Sequence, residues 1–209
     1  MKKVGNGYYE GMMKKRVATA TRLISKKAIR CLGVAESFTR RKNKSVLVGV
    51  VMRRDLIVDG VSLTTITVGG LDATEGIIRI YKGLNRDDIN FMLINGAVIA
   101  FYNVIDLPRL YDELRVPIIS ITYNPSKGLE QNLLKMDQGE NRLEIYRRNG
   151  PRERVYLKTG YPVFIRCFGL TKDEAVGLLN AFVISGRVPE PIRLANLMAR
   201  AVLKGMLDD

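Results

Sequence analysis

The 209-residue chain contains no histidine, no tryptophan and only two cysteines. Without histidine, neither a Ser/His/Asp arrangement nor a Cys/His pair can form, which excludes those routes to an activated nucleophile. Two isolated cysteines with no histidine also exclude a zinc site of ordinary type. Cys31 and Cys167 each lie in an apolar, strand-like run, so both are expected as buried, reduced thiols. No apolar run reaches the length of about 18 residues that a membrane-spanning helix needs. The N-terminus is basic but has no continuous apolar stretch behind it, so no secretory signal is expected. These absences point to a cytoplasmic protein with no membrane partner.

Hydrophobic residues make up 46% of the chain, enough for a sizeable core in one domain, or one domain with an appendage. The net charge is +13, and it is segregated. Residues 1–54 hold 15 Lys/Arg against two Glu, whereas residues 55–141 hold seven basic side chains against 12 acidic ones. Residues 142–158 are basic again, through Arg147, Arg148, Arg152 and Arg154 among others. Segregated positive charge is a phosphate-binding footprint; a merely solvated surface in a charge-rich, heat-loving protein is the plainer alternative.

Residues 1–27, with Gly5, Gly7 and Gly11 followed by six Lys/Arg, read as a basic N-terminal appendage, and 28–209 as the domain proper. Residues 28–36, 45–52 and 56–68 have strand composition, the last bent at Asp59-Gly60. Charged turns join them, which implies an antiparallel meander. Asp72 is placed to cap a helix over 73–83. A nearly all-apolar strand over 89–94, a helix over 104–115 and a strand over 117–122 follow, the signal for parallel βαβ units. A short helix is expected over 127–136 and extended chain over 154–168, an edge strand. Thr171 to Glu174 fits a capping box, and Pro189-Glu190-Pro191 opens a last amphipathic helix. Asn124-Pro125-Ser126-Lys127-Gly128 is a turn after a strand, but it lacks the Gly-rich run of a P-loop. Tyr8, Tyr9, Tyr123 and Tyr146 could stack on bases, although scattered tyrosines are usually half-buried packing.

Several short segments, taken in order, carry a family resemblance. They are Leu32-Gly33-Val34-Ala35-Glu36, Val48-Gly49-Val50-Val51, Asp59-Gly60-Val61, Gly70-Leu71-Asp72-Ala73-Thr74, Asn103-Val104-Ile105-Asp106 and Val116-Pro117-Ile118-Ile119, with Val188-Pro189-Glu190-Pro191-Ile192-Arg193-Leu194-Ala195 the most specific. Over residues 28–206 the chain resembles the archaeal endonuclease dU family, relatives of endonuclease V. The resemblance implies an α/β, ribonuclease H-like mixed sheet: three antiparallel strands, then parallel βαβ units, flanked by helices. It also implies hydrolysis of a phosphodiester near a deaminated base, a DNA-repair chemistry run by carboxylates on Mg²⁺ or Mn²⁺.

The resemblance breaks at the acidic positions. The family's first-strand Gly-Ile-Asp-Asp pattern stands here as Gly33-Val34-Ala35-Glu36, and its fourth-strand Asp-Gly as Asn95-Gly96. Alternation along a strand should turn Glu36 away from the face of position 35. Asp72 matches the family's acidic residue after the third strand and is also a natural helix cap. Asp106 keeps its motif position and is likewise a cap candidate. Glu36, Asp72 and Asn95 are therefore the degenerate catalytic positions, with Glu36 and Asp72 the metal ligands only if the protein is active. Otherwise no cofactor is expected. Nucleic-acid contacts are assigned to Arg40, Arg41, Lys42, Lys44, Arg53, Arg54 and Lys127, with DNA or RNA as the partner through the basic N-terminal quarter. Homo-oligomerisation is left open. The leading expectation is a nucleic-acid-binding relative with little or no nuclease activity. An active Mg²⁺-dependent endonuclease and a protein-interaction module are the alternatives.

Overall fold

The computed structural model describes residues 29–126 and 128–208; the N-terminal appendage and Lys127 lie outside the described residues. Seven strands form one sheet in the order β3-β2-β1-β4-β7-β9-β8. Strands β1 (Arg30–Ser37), β2 (Lys44–Arg53) and β3 (Val58–Thr67) make the expected antiparallel meander. Strand β4 (Phe91–Asn95) adds parallel to β1, and β7 (Ile118–Thr122) parallel to β4. Strands β8 (Glu153–Tyr156) and β9 (Pro162–Phe168) form an antiparallel hairpin on β7, so the extended chain expected over 154–168 is two strands, the first at the edge.

Local chemistry explains the elements. Eight consecutive residues of β2 are buried, from Ser45 to Met52, because helices cover both faces of the sheet there. At the bend, Met52 pairs with Val58 and Val51 with Gly60, leaving Asp59 as the extra residue of a bulge. Its carboxylate accepts from Arg30 and Arg86, which hold it below the usual carboxylate range.

Helices α1 (Ala73–Gly83) and α2 (Leu107–Leu114) cover one face of the sheet, packing on Leu32, Val34, Met92 and Ile118. Helices α5 (Lys172–Phe182) and α6 (Glu190–Asp208) cover the other, packing on Cys31, Ala35, Leu93 and Ile121. The capping box at Thr171 and Glu174 forms as its spacing predicts. The start of α6 lies so close to β1 that a Cβ at Gly33 would sit 2.5 Å from the Pro191 backbone; only glycine permits that approach. Cys31 is buried, and Cys167 is half-buried rather than fully enclosed.

Three elements depart from the sequence reading. Residues 98–104, the last of which was expected to begin a helix, form a small hairpin of β5 (Val98–Ile99) and β6 (Asn103–Val104). The short helix α3 spans only Glu130–Leu134. Helix α4 (Gly139–Arg148) has no counterpart in the apolar pattern, because Leu143 is its only buried hydrophobic residue. Among the described residues no helix is long and apolar enough to cross a membrane.

Candidate nucleic-acid interface

The C-terminal ends of β1, β4 and β7 point the same way and make one rim of the sheet, where open α/β sheets place their ligands. The side chains at that rim divide between two faces. Ala35 belongs to the core under α5 and α6, and Asn95 pairs with Ile121 of that same core. Ala35 and Asn95 are thus on one face, and both are uncharged. Tyr123, two residues beyond Ile121, packs on this face beneath the Arg187 guanidinium, 5.6 Å from its ring centre. Burial holds its phenol well above its usual pKa, and its hydroxyl has no hydrogen-bond partner among the described residues. A carboxylate beside this face is one the sequence reading did not single out as a site: Glu190, at the first turn of α6, buried and paired with Arg193. The only signal for it was its place in the most specific family segment.

Glu36 lies one residue on and faces the other side. One oxygen accepts from Ser45 Oγ (2.8 Å) and the other from the Ala100 amide (3.2 Å). Burial pushes its carboxyl up, against the two hydrogen bonds that lower it. The Ala100 contact has a structural purpose. Ala100, Phe101 and Tyr102 take successive φ values of 40°, 59° and 66°, a left-handed turn that costs non-glycine residues about 1–2 kcal/mol each. Three tethers hold it: Glu36 on the Ala100 N–H, the Gly69 amide donating to the Ala100 carbonyl at 2.7 Å, and Arg142 donating to the Tyr102 carbonyl at 2.7 Å. Arg142 is only 2% exposed and donates also to the carbonyls of Gly69, Gly70 and Asp137. Burial lowers its pKa, and its bonds all run to neutral backbone oxygens.

Asp72 does not cap α1 with its side chain, contrary to the sequence expectation. Its carboxylate turns back to accept the Thr67 amide, the Thr67 hydroxyl and the Asn103 amide. Burial raises the group, but these donors outweigh it and hold it below the usual carboxylate range. The capping duty passes to the fully buried Asn103, whose Oδ1 accepts the Ala73 amide at 3.0 Å. Asp106 does cap α2, accepting the Arg109 amide, and pairs with Arg148. Among the described residues no three Cys, Asp or Glu side chains converge as a metal site would require.

The basic residues also divide. Arg40, Arg41, Lys42 and Lys44 crowd the β1–β2 turn at the rim. There Arg40 stacks on Phe101 at 4.7 Å, Lys44 donates to the Thr67 hydroxyl and Lys42 donates to the Met206 carbonyl. Arg53 and Arg54 sit at the far end of the ten-residue β2, about 30 Å away along the strand, with Arg53 paired to Asp55. The structure therefore does not gather the six arginines and lysines into one patch. It adds two rim arginines that composition could not place: Arg187 on Tyr123, and Arg152, which donates to the Thr122 hydroxyl.

Sheet order and the position of this rim define a ribonuclease H-like α/β protein, and known structures bear this out. The chain matches endonuclease V of Ciona intestinalis, solved with a 24mer DNA containing an inosine followed by a ribo-adenosine, at a TM-score of 0.61 and 14% identity, over 96% of this chain and 100% of that one. A protein of unknown function from Archaeoglobus fulgidus matches at a TM-score of 0.72 and 29% identity, over 83% of this chain and 98% of that one. The family model for endonuclease dU matches residues 27–203; the chain belongs to the endonuclease dU family. A relative from Pyrobaculum calidifontis, known as a UPF0215 protein, is 37% identical over 173 residues, 82% of this chain and 95% of that protein.

Proposed function

We propose that this protein binds nucleic acid through the rim of its sheet and has lost the hydrolytic metal site of its relatives. Endonuclease V neighbours are solved with inosine-containing DNA, which supports a nucleic-acid role for the shared fold. One observation carries the loss: the adjacent strand ends under α6 present Ala35 and Asn95 where two anionic ligands would be needed. Mg²⁺ keeps several of its waters in a near-octahedral array and is anchored by one or two free carboxylates together with substrate phosphate oxygens. An alanine offers none, the asparagine amide is a neutral donor, and Glu190 is already neutralised by Arg193. These residues do not fit a catalytic Mg²⁺ or Mn²⁺ site. The carboxylates that survive nearby, Glu36 and Asp72, are each committed to two or more protein donors, which weighs against their use as metal ligands in an active endonuclease.

Phosphate contacts fall to Arg40, Arg41, Lys42 and Lys44 at the rim, with the basic N-terminal segment and Lys127 as further positive charge. Removing carboxylates from the rim lowers its repulsion toward a phosphate backbone, so lost hydrolysis and retained binding are compatible. The test is fluorescence anisotropy with labelled DNA and RNA, with and without deoxyuridine or deoxyinosine, across a salt series, alongside a cleavage assay in Mg²⁺ and Mn²⁺. Salt-sensitive binding without cleavage is expected. Cleavage that a chelator abolishes would overturn the loss of hydrolysis. Absence of binding at low salt would overturn the nucleic-acid role and favour a protein-interaction module.

A further inference from the structure

On the β7–β9 side of the sheet, across the rim from the β1–β2 turn, a cavity of about 510 Å³ opens between β9, the end of β7 and helix α4. Among the described residues, Arg147, Arg152 and Arg166 line it, against one carboxylate, Glu130. Arg166 is only 7% exposed and stacks on Tyr146 at 5.1 Å, with its Nε donating to the Gly150 carbonyl. Arg152 stacks on Phe164 at 5.1 Å and donates only to neutral oxygens, of Thr122, Asn124 and Ser126. None of the three arginines has a carboxylate within ion-pair distance among the described residues. Glu130 acts on Arg166 only from beyond ion-pair distance, and a largely buried guanidinium without a close counter-ion is an unfavourable arrangement that an anion would relieve.

We propose that this cavity binds a nucleotide through a phosphate monoester, held by Arg147, Arg152 and Arg166. Three considerations select that chemistry. Among the described residues, three guanidiniums against one carboxylate leave an excess of two positive charges, which favours a monoester dianion over a singly charged backbone diester. Arginine presents paired N–H donors that match phosphate oxygens. The space exceeds what a bare phosphate fills, since one water takes about 30 Å³, and it lies in the range of small-molecule sites. Its remaining wall, with Tyr146, Phe164, Pro125 and Pro151, suits the flat, partly apolar body of a nucleoside. The phosphate could arrive on a free nucleoside monophosphate or at the end of a strand. The second source rests on the nucleic-acid role proposed for the rim; the first does not.

The experiment uses the full chain and calorimetric titration with adenosine monophosphate, adenosine and inorganic phosphate. It is paired with anisotropy on one oligonucleotide carrying either a terminal phosphate or a terminal hydroxyl. Adenosine monophosphate is expected to bind, adenosine to show no heat, and phosphate to bind more weakly than the nucleotide. The exposed-site variant Arg147→Glu is expected to weaken nucleotide binding by roughly tenfold or more while leaving the melting temperature within a few degrees. Arg115→Glu, on an exposed residue of another element, should leave binding unchanged. Preference for the phosphorylated strand, competed by adenosine monophosphate, assigns the strand end as the source. Nucleotide binding without that preference assigns the free nucleotide. The proposal is overturned if the monophosphate does not bind, or if Arg147→Glu leaves its affinity intact. Salt-sensitive binding of the hydroxyl-ended strand tests the nucleic-acid role of the rim separately.

Discussion

Replacing Arg142 with methionine keeps an unbranched stem about as far as Nε and removes every donor of the buried guanidinium. Four carbonyls, of Gly69, Gly70, Tyr102 and Asp137, are then left without their partner in a site where Arg142 itself is 2% exposed. A stranded buried acceptor costs about 1–3 kcal/mol. Water entry and relaxation recover part of this, and the methionine avoids burying a charge, so the expected net destabilisation is about 3–5 kcal/mol. Against a total stability of roughly 5–15 kcal/mol for an ordinary domain, that is a large fraction. Urea unfolding followed by circular dichroism should show a lower midpoint with an unchanged slope. Arg142→Lys, with three donors in place of five, should be milder. Amide exchange should quicken first at Gly69, whose N–H donates to the Ala100 carbonyl of the left-handed turn. A destabilisation below about 1 kcal/mol, or no change in Gly69 exchange, would show that the carbonyls are satisfied without Arg142 and that the turn does not depend on it.

Other perturbations probe separate parts of the molecule. Gly33→Ala should destabilise by about 1–3 kcal/mol, because its Cβ would meet the Pro191 backbone at 2.5 Å; thermal melts check it, and a neutral result would mean that α6 can shift freely. Glu36 has its carboxyl raised by burial, so its protonated form favours folding. That contribution is full below the unfolded pKa and disappears as pH rises through the folded one. Glu36→Gln should therefore stabilise the protein near neutrality and flatten stability against pH above about 4.5, readable from melting temperatures between pH 4 and 8. Joint replacement of Arg40, Arg41 and Lys44 by glutamine should reduce the slope of log affinity against log salt, by up to roughly 0.9 for each duplex phosphate that the variant no longer neutralises. The double variant Ala35→Asp, Asn95→Asp should gain Mn²⁺ binding that the parent lacks, measurable by electron paramagnetic resonance; equal binding by both proteins would contradict the proposed decay of the metal site.

Much of the fold was legible because buried strands write themselves in β-branched residues. The run from Val46 to Met52 could be little else, and the Asp59-Gly60 bend became a bulge at that point. Helix α4 stayed hidden because its main buried anchor is an arginine held by backbone carbonyls, and no hydrophobic period marks such a helix. At the rim, alternation alone gave the opposed directions of positions 35 and 36. Glu36's partnership with Ala100, 64 residues away, left no trace in the local sequence. The capping expectation for Asp72 failed because Thr67 and Asn103 offer more donors than the helix start does. The grouping of Arg53 with Arg40 treated neighbours in sequence as neighbours in space, and β2 carries them to opposite ends of the sheet.

Successive residues of a strand look out of opposite sides of a sheet, so no rotamer change can hand the Glu36 carboxylate to the face beneath α6. A slip of one residue would carry it across, but would also turn Val34 and Leu32 out of their core. If hydrolysis has been lost as proposed, restoring it requires new side chains at Ala35 and Asn95 together, since either aspartate alone would sit as a lone charge beside an apolar layer. On that proposal, each single replacement adds a charge to the apolar layer before the second aspartate can share a cation with it.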